Sequence, residues 1–133
     1  MTTTAAGERV GTRTFGAAAS LKDTAATIAA AICQDPGMYL PGAHFECITV
    51  IVRPDTGAAR SAVELRPVGP ALIALVPATV TGAEEDRPRI TPATGHPATA
   101  ALPRNRFAPG HHSALTDALR SALAASQALA GAA

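Results

Sequence analysis

Along residues 46–53 hydrophobic positions follow one another almost without a break, and Ile48, Thr49, Val50, Ile51 and Val52 are all β-branched. Such side chains are stiff at χ1 and lose little further freedom on a pleated surface, so the run predicts a strand. Pro54-Asp55-Thr56-Gly57 then reads as a hairpin turn: proline presets φ, aspartate bonds forward to backbone amides, and glycine accepts φ > 0. The pattern next changes to strict alternation over residues 59–66. Ser61, Val63 and Leu65 fall on one side and Arg60, Glu64 and Arg66 on the other, as expected of a strand with one face in water. After a second turn at Pro67-Val68-Gly69-Pro70, residues 71–76 are apolar at every position and predict a third strand, over 71–80, covered on both faces. Pro77 has no amide proton for a ladder, so pairing is expected to end, bulge or become one-sided there.

Two helical periodicities flank this meander. Leu21, Ala25, Ile28 and Ile32 recur at steps of four, three and four, one face of a helix over 17–34, with Ser20 and Asp23 at capping-box spacing and Asp35-Pro36-Gly37 as its stop. Leu115, Leu119, Ala122, Ser126 and Leu129 form a second inward stripe over 113–130, with Leu123 at its margin and Ser113 as the N-cap. Alternation over 8–15 adds a short edge strand, and residues 1–7 read as a disordered tail. Residues 81–112 have no sustained periodicity. They hold Pro88, Pro92, Pro97, Pro103 and Pro109 and the acidic run Glu84-Glu85-Asp86, and read as a long proline-rich loop of the kind that serves as a lid or binding loop.

The expected fold is therefore α+β: an antiparallel sheet of three to four strands covered on one face by two helices, all within a single domain over 8–133. Composition qualifies that core. Hydrophobic residues are 47% of the 133, but about half of these are alanine, so the core is lean. A net charge of only +1 argues against disorder, and a subunit interface, most simply a homodimer, is the expected supplement. Ten arginines against the single Lys22, with abundant alanine, glycine and proline, point to a GC-rich bacterial genome. A near-neutral charge and few aromatic residues argue against nucleic acid, since phosphate binding needs clustered positive charge and base stacking needs rings. No run approaches the roughly 20 apolar residues that span a bilayer, and no signal-peptide core is visible, so the cytoplasm is the expected compartment. Cys33 and Cys47 lack ligand-like spacing and read as reduced core thiols.

Candidate chemistry is sparse. His44 and Glu46 share a strand face if the strand begins by His44, and with His111 and His112 they supply imidazole and carboxylate donors for a divalent metal. The plain alternative is that these are solvated polar residues at a strand entrance and before a helix. His111 or His112 with Asp117 has the make-up of a general acid/base pair, although Asp117 equally complements the positive end of the helix. Arg104 and Arg106, with Arg87 and Arg89, offer guanidinium forks for a phosphate or carboxylate, or pair with the acidic run beside them. No nucleophile elbow, P-loop or dinucleotide fingerprint occurs, and the P-C-x-x-C partner of zinc deaminases is missing. No cofactor is identified. The first reading is a small, non-enzymatic binding or regulatory module acting as a homodimer. The second is a small enzyme or metal-dependent protein acting on an anionic molecule, with His44, Glu46, Arg104 and Arg106 between the sheet and the 81–112 loop.

Overall fold

The computed structural model describes residues 10–42, 45–54, 60–81 and 89–132. Three strands form the expected meander: β2 (Cys47–Arg53), β3 (Ser61–Val68) and β4 (Leu72–Thr81). They pair antiparallel in sequence order, with Val50 opposite Val63 and Leu65 opposite Leu75. Gly69 takes φ 66° in the β3–β4 turn, a conformation in which a Cβ would be strained. His44, residues 55–59 of the first turn and the acidic run at 84–86 lie outside the described residues.

The sheet is larger than the pattern predicts, and it is mixed rather than antiparallel. β1 (Val10–Gly16) is the expected edge strand, but it runs parallel to β2, with Val10 beside Cys47 and Gly16 beside Arg53. The reason lies in the connection. The helix α1 (Leu21–Gln34) carries the chain back along the sheet, so β2 starts at the same end as β1. A single helical turn, α2 (Pro36–Tyr39), follows α1, giving three α-helices among the described residues where two were expected. Within the proline-rich segment, two further strands, β5 (Arg89–Pro92) and β6 (Ala100–Pro103), both pair antiparallel with β4. β4 is ten residues long and accommodates them end to end, β6 along 72–75 and β5 along 78–81. Pro77 sits at the junction between the two. Its missing amide proton falls where neither strand pairs, and its carbonyl accepts the Ala93 N–H at 2.8 Å.

Both long helices lie on one face, as the stripes predict. Ser20 caps α1, accepting the Asp23 N–H at 3.1 Å, and Ala25, Ile28, Ala29 and Ile32 point into the core. The last helix, α3 (His112–Ala132), begins one residue ahead of Ser113, following a 3-10 turn at Pro109–His111. It packs along α1 and across β3 and β4. Leu115, Leu119, Ala122 and Leu123 meet Val50, Val63, Leu65, Ile73 and Leu75 beneath it. Small residues on α3 let its backbone approach the sheet closely. Ser126, wholly buried, reaches between two strands, accepting the Ala62 N–H at 2.9 Å and donating to the Ala78 carbonyl at 2.5 Å.

The opposite face departs from expectation. Alternation marks Glu64 and Arg66 as solvated, yet Glu64 is only 5% exposed and pairs with the Arg66 guanidinium two residues along the same face. Mutual neutralisation lets that carboxylate sit beside a smaller apolar cluster of Ile51, Ala62 and Ala78, against which Val80 and Ile90 pack. Ile90 reaches it because β5 pairs with β4 at Val80. Among the described residues, no helix is long and apolar enough to cross a membrane.

Cys33 and Cys47 are both buried. Burial penalises the Cys33 thiolate and pushes its pKa above the ordinary value of 9.0. Below pH 9 the thiol is neutral in folded and unfolded chains alike, so the contribution to stability is fully present there. As pH rises past 9.0 the unfolded thiol ionises first, and stability is lost progressively up to the folded-state pKa. Urea unfolding followed from pH 8 to about pH 10.5 should show this decline, and Cys33→Ala should make it shallower; equal slopes would contradict it.

Candidate functional site

The α1–β2 connection forms one wall of a cleft. Proline at position 36 disfavours helix at Asp35, which ends α1, and the chain then makes the single turn of α2. Backbone bonds hold this turn: the Met38 N–H donates to the Asp35 carbonyl at 3.0 Å, and that of Leu40 to Pro36 at 2.9 Å. Beyond it, the Gly42 N–H donates to the Phe45 carbonyl at 2.8 Å. The space between this connection, β1 and the turn after β6 has a volume of about 610 Å³, within the usual size range of small-molecule sites.

Two arginines from opposite ends of the chain meet here. Arg13 is opposite Val50 in the β1–β2 register, so it lies on the helix-covered face at the sheet margin. Its Nε donates to the Met38 carbonyl and its Nη1 to the Thr12 carbonyl, both at 3.0 Å. Its guanidinium carbon stands 5.5 Å from the centroid of the Phe45 ring, a cation–π arrangement that further fixes the fork. Phe45 itself lies flat against Gly11, where an added Cβ would come within 3.2 Å of the ring. Arg104 opens the 3-10 turn Arg104–Arg106 that follows β6. Its backbone N–H donates to the Ala71 carbonyl at 2.9 Å and its Nη1 to the Pro41 carbonyl at 3.1 Å.

Carbonyl anchoring matters electrostatically. A carboxylate partner would cancel the charge, whereas a carbonyl orients the guanidinium and leaves it cationic. Among the described residues neither arginine forms an ion pair with a carboxylate. A guanidinium has five N–H donors; Arg13 uses two of them and Arg104 one, so most of the fork remains available to an anion. Asp35, Met38 and Leu40 line the same cleft.

Of the residues singled out from sequence, Arg104 lines the cleft. Arg106, two positions on, is exposed and does not, and Glu46 is an exposed residue next to Phe45, also outside the lining. His44 falls outside the described residues. His111 and His112 stand at the start of α3, away from the cleft lining. The His112 Nε2 lies 3.1 Å from the Ala26 carbonyl, tying α3 to α1, and neither histidine is hydrogen-bonded to Asp117, which is exposed on α3. No group of three or more His, Cys, Asp or Glu side chains converges among the described residues. Arg13 was legible only as part of an edge strand. The available signal was its inward parity, between Gly11 and Phe15, an odd place for a charge unless it does something there.

No protein-family model matches this chain, and comparison with curated proteins and with solved structures finds no significant match in either.

Proposed function

We propose that the protein is a small binding or regulatory module that takes a small anion, carboxylate or phosphate in kind, in the Arg13–Arg104 cleft. The observation that carries this reading is that both guanidiniums are held by backbone carbonyls, with their charge uncancelled and most donors unused. Placing two cations in the lining of one cleft costs electrostatic energy that a bound anion recovers. Among the described lining residues there is no histidine, cysteine or lysine, and Asp35 is the one carboxylate beside the arginines, which favours binding over catalysis.

Titration of the protein with phosphate and with simple carboxylates, followed by amide chemical shifts, tests this. Shifts should centre on Arg13, Met38, Phe45 and Arg104. Arg13→Gln and Arg104→Gln should each weaken binding by about tenfold to a hundredfold, the range expected for losing a hydrogen bond to a charged group. Arg13→Lys should lose most of the same affinity, because an ammonium keeps the charge without the fork. Binding that is unchanged in both glutamine variants, with the fold intact by circular dichroism, would refute the reading. Turnover of a bound phosphate ester or acyl compound would instead favour a small enzyme acting on an anionic molecule.

A further inference from the structure

The cleft is not purely cationic, and its asymmetry narrows the ligand. Resting on the anion-site reading above, we propose that the ligand is a zwitterion, a free α-amino acid with an apolar side chain. Its carboxylate sits on Arg13 and Arg104 and its ammonium group on Asp35. Its side chain lies against Met38, Leu40 and the Phe45 ring.

Three observations converge. Asp35 lines the same cleft as the two arginines, and its carboxylate makes no capping bond to the turn it precedes. Its backbone is tied to the site, because the Asp35 carbonyl accepts from Met38, whose own carbonyl holds Arg13. A ligand gripped by Arg13 therefore lies beside the turn that presents the acid. The third observation is apolar. Met38 is 46% exposed, among the most exposed large hydrophobic residues described, and it lies on the cleft wall with Leu40 and Phe45. An inorganic phosphate or a dicarboxylate would use the guanidiniums but set a second negative charge near Asp35 and leave this wall wet. An amino acid places opposite charges against each pole and covers the wall.

The test compares three ligands that differ by one group: L-phenylalanine, 3-phenylpropionate, which lacks the ammonium, and phenethylamine, which lacks the carboxylate. Calorimetric titration of the full chain should give about tenfold tighter binding for phenylalanine than for 3-phenylpropionate, and little for phenethylamine. Asp35→Asn should bring phenylalanine and 3-phenylpropionate level without weakening the latter. Met38→Ser should weaken phenylalanine while leaving glycine unaffected. Equal or tighter binding of 3-phenylpropionate to the unaltered protein, or a preference for phenylalanine that survives Asp35→Asn, would overturn the zwitterion and leave the anion site standing. Binding of phosphate alone would do the same. Failure of every anion to bind would remove both.

Discussion

Phe107→Ala is expected to lower the unfolding free energy by about 3–5 kcal/mol, the range for deleting a buried aromatic side chain. Phe107 is 2% exposed and joins the main cluster between α1, α3 and the sheet, where it is among the largest of the fully buried side chains. Apart from Cys33, the other buried members of that cluster are alanine, valine, leucine and isoleucine, none of them large enough to fill the space an absent ring would leave. The lost energy is a large part of the 5–15 kcal/mol that holds a typical domain together. Urea denaturation should show an earlier midpoint with a similar slope, and Phe107→Leu should recover more than half of the loss. A loss below about 1 kcal/mol would mean that the segment carrying Phe107 is not anchored where the structure puts it.

Ser126→Ala is expected to cost about 2–4 kcal/mol, far above the usual effect of removing one hydroxyl. The Ser126 hydroxyl bridges the Ala62 N–H and the Ala78 carbonyl, which face each other in the β3–β4 register. Its removal leaves a donor and an acceptor unsatisfied in a position sealed from water, each carrying its own desolvation cost. Amide exchange supplies the local readout: the Ala62 amide should lose protection in Ser126→Ala more than the Val50 amide does. Stability within about 0.5 kcal/mol of the unaltered protein, with Ala62 still protected, would count against the bridge.

These two residues show where the sequence could and could not be read. Ser126 belongs to a stripe with Leu115, Leu119 and Ala122, so its inward direction follows from helical geometry alone. Its part as a bridge between β3 and β4 does not, since nothing within α3 records which backbone groups lie below. Phe107 sits in a stretch without period, and a lone ring among prolines gives no sign of which way it points. β5 and β6 were missed for a related reason. Each has four residues, too few to display an alternation, and each is held by β4 more than by its own propensity. The buried Glu64 was misread because alternation reports parity and not coverage: it gave the correct face for Glu64 and Arg66, while the ion pair between them decided that the face need not be wet.

The cleft is harder still to foresee, because Arg13, Asp35, Phe45 and Arg104 have no spacing in common. Arg104 stands among other arginines of the 81–112 segment, where its chemistry is visible, and Arg13 lies within a strand, although backbone carbonyls hold both.

What the chain determines by itself is whatever recurs within one segment: the three-strand meander, the buried faces of α1 and α3, the Ser20 cap and the stop at Pro36 are each set by neighbours a few residues away. Tertiary structure alone decided the direction of β1, the docking of β5 and β6 end to end along β4, the insertion of Ser126 and the meeting of two arginines 91 positions apart. The physical reason is range: periodicity and capping are settled by contacts within a turn or a strand, whereas an edge to pair with or a wall to face exists only once the sheet and its helices have assembled.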